Sequence, residues 1–400
     1  MKGISSPTST GNALSSKLAG PLPSFDFNPL GRVLFGAGTL ARLAEAVREL
    51  GGSHVLLVTD PGLNQAGHPQ RAIKLLTEAG LRVTLFDGVE ENPTDRHVEA
   101  GTAMAKQAGI DILVGLGGGS AMDCAKGINF ILTNGGRMAD YKGHGKATKP
   151  MLPSIGIPTT AGTGSESQSY ALITDESSHL KMACGDRKAA FRISILDPEL
   201  TLSLPRSVSA ITGIDAIAHA LESYVCLKRN PVSQMAASTA WRMLEPNFDL
   251  VLDDPKNVEA RSAMLVGAHF AGMAIENSML GICHSCANPL TAHYGIAHGI
   301  AIGLMLPHVL RFNGQTIGNL YDELAQETRM HNGQPGYEAI AQRIEAMLHH
   351  AELPMRLRDR GVSQSILPIL AEEANQQWTA RFNPRPVTET DLLQVYQAAW

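Results

Sequence analysis

This 400-residue chain is short of several things, and each shortage closes a line of inquiry. It has no excess of charge: 33 basic against 38 acidic residues, well mixed, give a formal net charge of −5 and no basic face for phosphodiester backbones, which excludes nucleic acid as a partner. It has no apolar run near the roughly 20 residues that a bilayer crossing needs. The longest, 300–309, is broken by Gly303 and Pro307, so a soluble protein without a membrane partner is expected. Residues 1–25 lack the continuous apolar stretch of a signal peptide and are rich in Ser, Thr, Gly and Pro. A disordered tail is expected there, with a docking or sorting segment as the alternative. Cysteine is scarce and odd in number: five in all, which fits reduced thiols in a cytoplasmic protein better than a disulfide framework.

What is present is enough apolar material, 44% of residues, to fill two cores, and a chain of this length defaults to two domains. From Gly31 onward short β-rich runs (54–60, 82–86, 111–116) alternate with helical ones (39–50, 70–79, 94–108). That alternation predicts an α/β fold, a parallel sheet covered on both faces, with ligands bound beyond the carboxyl ends of its strands. A hairpin is expected around Asp175 to Ser178. After Leu204-Pro205 long helical patterns take over, so the boundary falls near 205: an α/β domain over 26–205 and a helical domain over 206–400.

Two loops in the first half are built for polar ligands. Gly115, Gly117, Gly118, Gly119 and Ser120 follow a strand and open a helix, where backbone N–H groups and the helix dipole favour a pyrophosphate. The competing reading is a tight turn that needs glycine for itself. The second loop, PTTAGTGSE at 158–166, supplies hydroxyls from Thr159, Thr160, Thr163 and Ser165. Neither loop ends in Gly-Lys-Ser/Thr, so nucleotide hydrolysis is disfavoured and a dinucleotide suits the pair better. Asp60, at the end of an early strand, could accept hydrogen bonds from an adenosine ribose and would repel a 2′-phosphate, favouring NAD over NADP. Alternatively Asp60 only starts the turn Asp60-Pro61-Gly62. Lys181, a charge on an otherwise apolar run, either reaches a cofactor or points to solvent.

The second half holds a cluster. Asp215 and His219 stand four apart in the helical GIDAIAHALESY and so share a face, and 281–299 carries His284, His293, His298 and the pair Cys283/Cys286. Pro289 and Gly295 are expected to interrupt the helix between His284 and His298 and let both face one cavity. One carboxylate with three imidazoles suits iron(II) or zinc and is too rich in nitrogen for magnesium or calcium. The alternative for Asp215 and His219 alone is a plain side-chain hydrogen bond. Cys283 and Cys286, with no second Cys-x-x-Cys, read as buried thiols that happen to be neighbours.

Taken in order, GGGSAMDCAKGI, PTTAGTGSE, GIDAIAHALESY, CHSCANPLTAHYGIAHG and NPRPVTETDLL resemble the iron-containing (group III) alcohol dehydrogenase family over about residues 25 to 400. The resemblance implies a Rossmann-like dinucleotide domain, an all-helical metal domain of dehydroquinate synthase-like architecture, and an active site between them. It implies Asp215, His219, His284 and His298 as ligands of one divalent metal, iron(II) ahead of zinc. Asp60, Asn92, Gly117, Gly118, Gly119, Ser120, Asp123, Thr159, Thr160, Thr163 and Lys181 would line the NAD site; Tyr170, Ile275 and Asn288 would face the substrate. His293 corresponds to no ligand. Many family members carry a further histidine where this chain has Asn288, which cannot act as acid or base, so a proton relay at that point is absent.

The implied reaction is metal-assisted hydride transfer interconverting a short-chain alcohol or diol and its aldehyde or ketone, with a homodimer or higher homo-oligomer as the assembly. A dehydroquinate synthase-type sugar-phosphate lyase is the rival, but it needs basic residues to hold phosphate and carboxylate, and 211–224 and 281–299 contain no Lys or Arg. A non-catalytic docking protein is the other alternative, and it requires all four ligand positions to be coincidental.

Overall fold

A computed structural model describes residues 23–178, 180–330 and 333–400; most of the tail expected over 1–25 lies outside the described residues. The strands are β1 Arg32–Phe35, β2 His54–Val58, β3 Arg82–Phe86, β4 Ile112–Gly117, β5 Gly143–His144, β6 Ser154–Pro158, β7 Tyr170–Thr174, β8 Lys181–Gly185 and β9 Ile193–Leu196. Between them run α1 Leu43–Glu49, α2 Pro61–Ala66, α3 His68–Glu78, α4 Asp95–Ala108 and α5 Gly119–Asn134. After the last strand come α6 Arg206–Val225, α7 Pro231–Asp253, α8 Val258–Glu276, α9 Ile282–Tyr294, α10 His298–Glu327, α11 Gly336–His350, α12 Leu367–Gln376 and α13 Glu389–Ala399.

Six strands form one parallel sheet in the order β1-β9-β6-β4-β2-β3. β2, β4, β6 and β9 are buried at every position, as strands covered on both faces must be. Alternation assigns their side chains to two layers. Val55 and Leu57 pack with Leu43, Val47, Ala72 and Leu76 of α1 and α3, whereas Leu56 and Val58 pack with Val98 of α4 and Met122 and Ile128 of α5. β7 and β8 form the expected hairpin, whose turn is held by Asp175 accepting from the backbone N of Ser178. With β5 they make a small second sheet.

Strand order reverses at β2: β3 lies on one side of it and β4 on the other, which opens a crevice beyond the ends of β2 and β4. Asp60 follows β2 and Gly117 ends β4, so both border that crevice. The helical half packs around a single apolar core to which α6 to α13 all contribute. It meets the sheet half along α8. Gly164 (φ +59) lies so close to this helix that an added Cβ would sit 2.7 Å from Gly272 Cα, Ser167 Oγ donates to the His269 carbonyl (3.0 Å), and Ser169 donates to Glu276.

The expectation that Pro289 interrupts the helix between His284 and His298 is wrong. α9 runs through Pro289 and stops at Gly295, which takes the left-handed conformation (φ 60). The fixed φ of proline is helical, and the buried face of Ile282, Cys283, Cys286, Ala287 and Leu290 outweighs the one backbone bond lost.

Candidate active site

The two loops expected to hold a dinucleotide come together. Thr159 N donates to the Gly117 carbonyl (2.9 Å), and a Cβ on Gly119 would lie 2.7 Å from the Thr163 side chain. Gly118 faces Thr160 at 3.5 Å. Gly117 has φ +156, and a Cβ there would strike Ala121 and approach Asp60 Oδ2 at 3.3 Å, so glycine is required on both conformational and steric grounds. α5 begins at Gly119, directing its free N–H groups into this space beside Ser120. Asp60 starts the turn into α2, as its second reading had it. It caps α2 by accepting from Leu63 N (3.1 Å), and its other oxygen stays beside the glycine loop.

Lys181 Nζ donates to Asn92 Oδ1 (3.2 Å), and Asn92 adopts the left-handed conformation (φ 54) that asparagine tolerates. Lys181 is exposed to solvent, and surrounding protein pushes its ammonium pKa down while the Asp123 and Asp215 carboxylates oppose that shift. Asp123 itself faces inward. It accepts from Ser165 Oγ (2.6 Å) and Leu172 N (3.2 Å), which commits both oxygens to the protein, so its carboxylate shapes the loop.

Across the cleft α6 presents Asp215 and His219 from one face, α9 presents His284 and the first residue of α10 is His298. Asp215 Oδ1 lies 3.4 Å from His219 Nε2, 3.5 Å from His284 Nε2 and 3.7 Å from His298 Nε2. Ligand atoms of Asp215, His284 and His298 all fall within 4.8 Å of one another, and the His219 ring stacks on His284 at 4.8 Å. Buried polar atoms ordinarily have partners, but Asp215 Oδ1 and His284 Nε2 have none. Burial would push the Asp215 carboxyl up; the His219, His298 and His284 rings override it and hold it well below the usual range. Burial lowers His298 to about 3, against Asp215 and with Lys181, which places Lys181 within electrostatic reach of the cluster. His284 behaves oppositely. Burial disfavours its charge, but Glu222 and Asp215 on its two sides raise it to about 9. One carboxylate oxygen and imidazole nitrogens gathered this closely, two of them without a hydrogen-bond partner, form a donor set that fits a divalent cation.

One participant escaped the sequence reading. Glu222 Oε2 lies 2.5 Å from His284 Nδ1 while Oε1 accepts from Cys283 N (2.7 Å). The signal was its spacing, three residues after His219 on the same helical face. The three residues expected to face the substrate are tied to the site through neighbours. Tyr170 opens β7 next to Ser169, which Glu276 holds beside Ile275, and Asn288 stands one turn beyond His284 with its amide donated to Gln377 Oε1 (3.1 Å). His293 is elsewhere, paired with Glu373 (2.9 Å), and Cys283 and Cys286 are buried and free.

Residues 31–198 match the family model "Iron-containing alcohol dehydrogenase", and residues 209–400 match "Fe-containing alcohol dehydrogenase family, C-terminal". The chain belongs to the iron-containing alcohol dehydrogenase family. Alcohol dehydrogenase 4 of Schizosaccharomyces pombe is 36% identical over 384 residues, covering 94% of this chain and 88% of that one. The NAD-dependent methanol dehydrogenase of Bacillus methanolicus is 32% identical over 370 residues, covering 92% and 97%. The crystal structure of 1,3-propanediol oxidoreductase superposes with a TM-score of 0.92 at 33% identity, covering 94% of this chain and all of that one. As a member of this alcohol dehydrogenase family the chain is an oxidoreductase that interconverts alcohols and carbonyl compounds, and the lyase and docking readings are set aside.

Proposed function

We propose that the chain is an NAD(H)-linked dehydrogenase of short, uncharged alcohols or diols. In this reading Asp215, His219, His284 and His298 hold one iron(II) ion. The observation that carries it is the buried, unpartnered pair Asp215 Oδ1 and His284 Nε2 inside a ring of imidazoles, with Asp215 on a helix against which the threonine loop packs so closely that a Cβ on Gly162 would lie 2.6 Å from Thr212. An iron-containing family and an NAD-dependent relative support iron and NAD respectively.

When bound, the metal supplies Lewis acidity that eases loss of the alcohol proton, and NAD accepts the hydride. The protein does the rest. Gly117, Gly118, Gly119 and Ser120 offer backbone N–H groups to the pyrophosphate, Thr159, Thr160 and Thr163 close over it, and Asp60 and the Asn92–Lys181 pair fix the ends of the dinucleotide. Tyr170, Ile275 and Asn288 bound the alcohol. Asn288 holds no transferable proton, so the proton leaves through water or substrate. Propanediol in the name of a structural relative and the uncharged surroundings of the site support a diol or short alcohol.

A homodimer is supported by the exposed edge of the sheet. β1 pairs with β9 on one side, and its Val33 and Phe35 are 42% and 50% exposed beside an apolar groove that includes Val266, Phe270 and Met273 of α8. A cytoplasmic site of action is supported by five unpaired, buried cysteines; no helix among the described residues is long and apolar enough to cross a membrane.

The deciding experiment is His284→Ala. Elemental analysis is expected to find the metal lost and alcohol-dependent NADH formation abolished, while NADH still binds by fluorescence titration. Full turnover in metal-free protein would sink the proposal.

A further inference from the structure

Residues 377–379, between α12 and the final helix, lie alongside the face of α9 that carries His284. Gln377 Oε1 accepts from Asn288 Nδ2 (3.1 Å), and Thr379 Oγ1 shares a hydrogen bond with Ser285 Oγ (2.7 Å), the residue after His284. Two bonds on either side of Trp378 thus fix its backbone against the metal-binding helix. The indole leaves that helix and meets Tyr170: the ring centroids are 6.0 Å apart. Its other edge rests on Phe382 (6.1 Å, nearly perpendicular), and Phe382 is itself seated in a small apolar cluster with Cys226 and Met279. Tyr170 is held as firmly. Its ring lies over Gly185, its register partner, where no Cβ could fit, and His144 flanks it at 5.8 Å.

A strip of rings, His144, Tyr170, Trp378 and Phe382, therefore crosses from the small sheet to the helical half. Trp378 remains 38% exposed although it is a large apolar side chain in contact with two fixed rings. Its ring meets Tyr170 and its neighbour Gln377 is bonded to Asn288, so Trp378 stands between these two residues with one face free. We propose that Trp378 is a specificity-determining residue that closes the alcohol site and restricts it to short chains. The inference rests on the reading that Tyr170 and Asn288 face the alcohol. A rigid indole at that point leaves room for a few carbon atoms beyond the reacting one and collides with longer or aromatic alcohols; the discrimination comes from sterics, because the indole itself carries no charge.

The test uses the metal-loaded enzyme with NAD and two probes, ethanol and benzyl alcohol. In Trp378→Ala, the ratio of kcat/KM for benzyl alcohol to that for ethanol is expected to rise about tenfold or more, the range a pocket wall commands, with the change appearing mainly as a lower KM for benzyl alcohol. Trp378→Phe, which keeps a ring against Tyr170, is expected to return the ratio most of the way to wild type. Should the alanine protein not fold, Trp378→Leu keeps contact with Phe382 while shortening the wall, and the same direction is expected. An unchanged ratio in folded variants of an enzyme that oxidises ethanol overturns the role of Trp378 and leaves the dehydrogenase reading intact. Failure of the wild type to oxidise either alcohol overturns that reading and this inference with it.

Discussion

At the residue scale the cluster depends on a carboxylate that binds no metal in the proposed scheme. Glu222 sits on the same face of α6 as Asp215 and His219, and by accepting at His284 Nδ1 it fixes which ring nitrogen carries hydrogen. The lone pair on Nε2 is then turned toward Asp215. Its second oxygen, bonded to Cys283 N, prevents the carboxylate from rotating away. A glutamine at this position keeps the size and loses the charge, so Glu222→Gln is expected to weaken metal affinity about 10- to 100-fold. Competition with a chelator reads this directly and does not depend on turnover. Unchanged affinity would mean that helix packing alone orients His284.

At the scale of elements α5 is the component that makes the dinucleotide side rigid. Its N-terminus opens the glycine loop, and two turns further in, Lys126 is 1% exposed with its ammonium donating to the Ser165 carbonyl (2.8 Å), Ser165 Oγ (2.7 Å) and the Tyr170 carbonyl (2.7 Å). One cation thus fastens the segment that leads from the threonine loop to Tyr170, the residue proposed to bound the alcohol. Asp123, at 3.6 Å, balances the charge. Lys126→Met leaves that carboxylate buried without its counter-ion and is expected to cost about 3–5 kcal/mol of unfolding free energy in urea titrations, with part regained in the Asp123→Asn/Lys126→Met double variant. Full additivity of the two changes would show that the groups act separately. This network also marks where the sequence stops being informative. Fully apolar runs such as HVLLV and ILVGLG have few places to go except the centre of a covered sheet, and the ligand spacing on α6 follows from helical geometry, so both could be read in advance. A lysine in GGGSAMDCAK, by contrast, reads as a surface residue, because only tertiary contacts 39 to 44 residues away reveal its acceptors. Pro289 misled for the same reason: its local preference is real, and packing against distant helices decides the outcome.

At the scale of the whole molecule the open question is the edge of the sheet. β3 is one edge, paired only with β2, and β1 is the other, presenting its outer backbone and two apolar side chains with only β9 as a partner among the described strands. A β-edge of this kind invites another strand, and natural proteins that leave one uncovered usually protect it with charge or bulges. Here Arg32 and Glu49 are paired with each other, so the strand's main charge is already neutralised. Pairing of two copies through β1 about a twofold axis would use the same surface on each and close the assembly at two, burying Val33 and Phe35 with the groove along α8. A carboxylate at the centre of such a patch is repeated by symmetry and meets its own copy. Phe35→Asp is therefore expected to change the mass in light scattering from twice to once that of the chain. Loss of the dimer should leave the cleft of each chain intact, because every proposed ligand of the metal and of NAD comes from a single copy. A dimeric Phe35→Asp protein would place the interface elsewhere.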